Sequence, residues 1–139
     1  MPEVPDLRSA RRRRRPALVD ACLQVDPQLP ATRTARHWVM STLGEVGVGG
    51  SANQVVELLT AELVGQAMLR SPEQITVRAS FDGHVVRVEV VDDAKGPSDP
   101  SAPALAILDA LAGSWGVLDD PSAGHIVWVE VETEDDWWG

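Results

Sequence analysis

The chain has a single cysteine, Cys22, among 139 residues. That excludes an internal disulfide and any metal site built on a cysteine cluster, and it fits a reducing cytoplasm. No apolar run approaches the roughly 20 residues that a membrane-spanning helix needs, so no membrane role is expected. There is no internal repeat. Basic charge is scarce outside the first residues: beyond residue 15, six cations face nineteen acids, a net charge of −13, and Lys95 is the only lysine. An acidic body of this kind does not bind nucleic acid by general electrostatics. Residues 1–15 are the opposite, with six arginines against Glu3 and Asp6, a net charge of +4. Arg11 to Arg15 read as a solvated basic tail, with contact to nucleic acid, an anionic membrane or an acidic partner as the alternative. A secretion signal does not fit, because only Ala17-Leu18-Val19 follow the arginines before Asp20. His37, His84 and His125 fall on elements of different kinds, which points to surface or partly packed histidines rather than a metal site.

What remains is an ordinary globular composition, 44% hydrophobic and 24% charged, of single-domain length. Residues 16–132 are expected to form the domain, with 133–139 an acidic tail carrying Trp137 and Trp138. Those two read as an interaction site or as a tail docking on its own domain. Leu18 to Val25 suggest a first strand at a sheet edge, ended by Asp26-Pro27. Pro30 and Thr32 start a helix with Ala35, Val39, Met40 and Leu43 at helical spacing. After the Gly47–Gly50 loop, Ser51 is placed to cap a second helix running to about Arg70. Residues 75–81 and 84–91 alternate on either side of Asp82-Gly83, the strongest short-range hairpin signal. A proline-rich loop leads to a very apolar third helix over Ala104 to Leu111, which its composition predicts to be largely buried. Trp115-Gly116-Val117 and a Pro121–Gly124 turn precede a last strand, His125 to Glu132, with Trp115 and Trp128 as core anchors. The fold class is α+β: a two-layer sandwich with helices on one face of a mixed, mainly antiparallel sheet.

Within the second helix, Glu62 and Gln66 are four residues apart and share one side. Val55, Leu58, Leu59, Leu63 and Ala67 form the apolar stripe beside them. A carboxylate and an amide next to such a stripe are either solvated at its edge or line a polar cavity.

The order of these pieces resembles the Bergerat-fold ATP-binding domain of the GHKL superfamily, and more narrowly the small actinobacterial anti-sigma-factor serine kinases. Ala35-Arg36, Glu62-Leu63-Val64 with Ala67, Arg87 to Asp92, Leu108 to Ala112, Trp115-Gly116-Val117, and Gly124 with Val127-Trp128 carry the resemblance. It implies Glu62 as the general base, Asp92 as the acid that reads the adenine amino group, Gly96 as the loop glycine of the adenine box and Gly124 as the glycine near the final strand. ATP and Mg²⁺ are the cofactors implied.

Several positions depart from the family pattern. Gln66 stands where the family has the Asn that holds Mg²⁺, and its extra methylene moves the amide oxygen in a site that demands near-ideal geometry. Ala102-Pro103-Ala104 replaces a Gly-x-Gly whose backbone approaches the phosphates, and Pro103 also lacks an N–H. His125-Ile126 stands where the family has Lys or Thr, and Ala123 replaces a glycine. The phosphate end thus reads as dismantled. The adenine end reads as a small pocket near Asp92, Gly96 and Gln66, lined by Leu105 and Leu108. The function expected is a cytoplasmic anti-sigma-factor-like regulator that acts by binding a sigma factor or a STAS-type anti-anti-sigma protein, with homodimerisation open. The alternative is an active ATP-dependent serine/threonine kinase. Asp92 and Asp93 also read as turn acids at a hairpin exit, and Glu62 as a solvated helix acid.

Overall fold

The computed structural model describes residues 16–96 and 99–133. The readings of residues 1–15 and of Trp137-Trp138 lie outside them. The element order is β1 (Val19–Val25), α1 (Ala31–Gly44), α2 (Gly50–Met68), β2 (Ile75–Phe81), β3 (Val85–Asp92), α3 (Ala102–Leu111), β4 (Ser114–Asp120) and β5 (Gly124–Glu132). The five strands form one sheet in the order β1-β2-β3-β5-β4, and every pairing is antiparallel. The sequence suggests a mixed, mainly antiparallel sheet, and here every pairing is antiparallel.

Two periods build the core. Ile75, Val77, Ala79 and Phe81 of β2 and Val86, Val88 and Val90 of β3 point to one face and are buried. Ala31, Ala35, Val39 and Leu43 give α1 a stripe every four residues, and Val56, Leu59, Thr60, Leu63, Val64 and Ala67 give α2 the matching one. These stripes pack on that sheet face as one cluster. Leu58 does not belong to it: the stripe runs through Val56, and Leu58 points to solvent. Nor does Ser51 cap α2. Gly49 holds the cap position without a side-chain bond, and the loop is fixed by Asn53, whose Nδ2 donates to Val48 O and Met40 O.

Sequence reasoning overestimated the burial of α3: only Ala104 and Leu108 are buried, because the helix rests on α2 along one edge. It also left β4 without an assigned element, because Gly116 interrupts its alternation. Gly116 is required there: a Cβ would lie 2.7 Å from the Trp128 ring. Trp128 is buried, but on the face away from the helices, with the Arg87 guanidinium 4.5 Å from its ring centre. It thus anchors the outer face rather than the core. Trp115 is half-buried against the core and donates its Nε1–H to Asp109.

Candidate functional site

The C-terminal end of β3, the end of α2 and the start of α3 converge on one another. β3 delivers Asp92 to the helix-covered face, where its side chain is 2% exposed. A carboxylate so buried needs partners, and Arg70 supplies them from just past the end of α2. The Arg70 Nε–H is 3.1 Å from both Asp92 oxygens. Arg70 Nη2 also donates to the carbonyls of Ala94 (3.0 Å) and Gly96 (2.8 Å). Asp92 Oδ1 accepts a further bond from Ala94 N–H, and Asp93 Oδ1 accepts from Glu73 and Gln74 N–H. Both acids thus organise the hairpin exit, as turn acids do.

One turn before Arg70, Gln66 points the same way, and its Oε1 accepts from Ser101 N–H. Its Nε2 donates to Glu62 at 3.4 Å. Ser101 is the N-cap of α3 and accepts from Ala104 N–H, with Pro103 in the first turn where a missing N–H costs little. Ala102-Pro103-Ala104 is thus an ordinary helix start. The Ser101 and Ala104 N–H groups are engaged within the chain, and Pro103 has none to offer.

Between these groups lies a cavity of about 30 Å³, lined by Gln66, Arg70, Asp92 and His125 over an apolar floor that includes Leu63 and Leu108. Leu105 is absent from this lining, against the sequence expectation; Ala104 takes its place. The apolar cavity that accommodates benzene is about 150 Å³, so a purine does not fit this arrangement. Gly96, with φ +91°, presents its carbonyl to Arg70. Glu62 is half-buried and outside the lining.

A second, open cleft of about 570 Å³ lies beside the first, between residues 93–96 and the β4–β5 turn. His125 lines both. It is 4% exposed, more deeply packed than the surface or partly packed histidine the sequence suggested, and its Nδ1 is 2.8 Å from Asp119 Oδ1. Gly124, also in the open cleft, has φ +115°, and a Cβ there would meet the Asp92 carbonyl oxygen. At the turn, Asp120 accepts from the N–H and hydroxyl of Ser122 and from Ala123 N–H, chiefly the first, which hold its carboxyl below the ordinary value. Among the described residues no group of three or more His, Cys, Asp or Glu is placed to hold a metal ion, and no helix is long and apolar enough to cross a membrane.

The architecture around this site has a counterpart of known structure. The crystal structure of the RsbU and RsbW domains of Rv1364c from Mycobacterium tuberculosis superposes with a TM-score of 0.65 at 20% identity. The likeness is one of fold: the antiparallel sheet with helices on one face is shared with that structure. The match covers 83% of this chain but 32% of the other, so the chain spans about a third of that protein's length. No protein-family model and no curated protein matches the sequence.

Sequence reasoning missed Arg70 and His125. Arg70 had a signal: it continues the four-residue spacing of Glu62 and Gln66 on one helix side. His125 had none, since its burial depends on the pairing of β5 with β3.

Proposed function

We propose that the protein is an anti-sigma-factor-like regulator that works by binding a protein partner, with a nucleotide site that no longer takes ATP. The observation that carries this reading is the Arg70–Asp92 pair. The acid that the resemblance assigns to adenine is held on both oxygens by the chain's own guanidinium. Gln66, at the position assigned to Mg²⁺, directs its oxygen to Ser101. Glu62, outside the cavity lining, is then a helix acid without a catalytic part. The fold likeness to a structure containing an RsbW domain and the sequence resemblance to anti-sigma-factor kinases support the choice of partner: a sigma factor or a STAS-type anti-anti-sigma protein. The test uses purified sigma factors and STAS-domain proteins of the source organism, with radiolabelled ATP present. Complex formation without phosphate transfer is expected. Phosphorylation of a STAS-type protein would make the kinase alternative correct.

The partner surface proposed is the outer side of α1. Arg33 is exposed there in an otherwise acidic body, and Arg36, one turn on, is tied to Glu57 at 3.3 Å. An Arg33→Glu substitution is expected to weaken partner binding about tenfold, equivalent to about 1.4 kcal/mol, without altering the thermal midpoint. Unchanged affinity in surface plasmon resonance would remove α1 from the interface.

A further inference from the structure

The helices cover one face of the sheet, and among the described residues no helix packs on the other. The centre of that outer face is nonetheless closed to solvent: Ser80 is 6% exposed, Arg87 9% and Trp128 4%. The strand register lines up Asp20, Ser80, Arg87, Glu130 and Ser114 in one row across it. Two features of this row are incomplete. Arg87 alone serves two largely buried carboxylates, Glu89 through Nε at 2.8 Å and Glu130 through Nη1 at 3.0 Å. The Ser80 hydroxyl, between Asp20 and Arg87, has no hydrogen-bond partner among the described residues. Both call for N–H donors, and the shared carboxylates call for positive charge as well. A second guanidinium supplies the two together.

We propose that the outer sheet face is the docking surface of the chain's own basic segment, Arg11–Arg15, laid across the strands along this row. The segment is five consecutive arginines. Among the described residues the face offers four acids, Asp20, Glu89, Glu130 and Glu132, against Arg78 and Arg87, each of which is already bonded to an acid. The point of entry fits. The chain bends at Leu18, whose N–H donates to the Phe81 carbonyl, and Asp20, the first residue of the row, follows two positions later. From β1 to β5 the row crosses three strand spacings, about 14 Å. Five extended residues span about 17 Å, so Arg11–Arg15 are long enough to run from Asp20 to Glu130. One guanidinium then passes over Ser80, and another meets the carboxylates that share Arg87, beside the Trp128 ring. Salt and acidic partners compete for the same arginines, so docking and capture of the segment exclude each other. The proposal is independent of the nucleotide-site reading.

The test attaches a nitroxide at position 13 of the full chain, through Arg13→Cys combined with Cys22→Ser, and reads amide and indole signals by NMR. Cys22 is exposed and is the chain's one cysteine, so its replacement leaves a single labelling site. At low salt the label is expected to bleach the Arg87 and Glu130 amides and the Trp128 indole N–H more strongly than the amides of α1 and α2. At about 0.5 M salt, where screening is short-ranged, that preference is expected to vanish. Bleaching confined to residues next to Leu18 describes a solvated tail and overturns the proposal. Bleaching of an unlabelled chain mixed with the labelled one assigns the segment to a second copy and overturns docking within one chain. A measurement without a label uses the full chain with each of Arg11 to Arg15 replaced by glutamine, changes that lie ahead of the folded domain. Its thermal midpoint is expected to fall by about 3 °C at low salt. Its Trp128 indole signal is expected to shift, and both differences are expected to close at high salt. Unchanged outer-face signals in that variant overturn the proposal as well.

Discussion

Replacing Arg70 with alanine is expected to cost about 3–5 kcal/mol of stability, the range for a buried ion pair that loses one partner. The cost arises because Asp92 stays behind: it is 2% exposed and, among the described residues, keeps only the Ala94 N–H. Asp92→Ala is expected to cost less. Arg70 is 12% exposed and retains the Ala94 and Gly96 carbonyls, so its charge is not stranded. The double variant should fall short of the sum of the single ones by more than about 1 kcal/mol, as residues in one network do. Urea unfolding with an unchanged slope measures all three. An Arg70→Ala cost below about 1 kcal/mol would place the pair with weak surface bridges, and the self-occupied site would lose its energetic basis.

Gly124→Ala is expected to be comparably damaging, for a backbone reason. At φ +115° an L residue is strained, worth about 1–3 kcal/mol by itself. The added Cβ also meets the carbonyl of Asp92, a main-chain atom fixed by the pairing of β3 with β5, where Asp92 faces His125. Relief requires the two strands to part at the site, so a drop in thermal midpoint of several degrees should accompany altered signals from His125. In contrast, Gly96→Ala sits in open space and pays the backbone term alone. A Gly124→Ala protein as stable as the original would show that β5 does not press on β3 there. Gly124 is thereby given a structural reason to be glycine, beside the cofactor role that the family resemblance implies.

The hairpin at Asp82-Gly83, the α1 stripe and the edge position of β1 were all legible in the sequence, because each follows from a local period or a turn signal. So was the convergence of Gln66 and Asp92 on a small pocket, through the family resemblance. β4 was not legible: Gly116 breaks its alternation, and the reason for that glycine is a tryptophan on the neighbouring strand. The exposure of α3 was hidden because composition reports how apolar a helix is and not how much of it has something to pack against. The pairing of Arg70 with Asp92 spans 22 residues of sequence and two elements, so no local pattern contains it. Gln66 departs from the metal ligand that the family resemblance implies and reads from the sequence as a pocket residue; bonded to Ser101, it is a tether for the start of α3.

The most direct test of the account is calorimetric titration of the full chain with Mg²⁺ and ATP. The Arg70–Asp92 pair, the 30 Å³ cavity and the engaged N–H groups at the start of α3 predict no saturable binding up to about 1 mM nucleotide. Saturable binding at low micromolar concentration, with Arg70 unchanged, would contradict it.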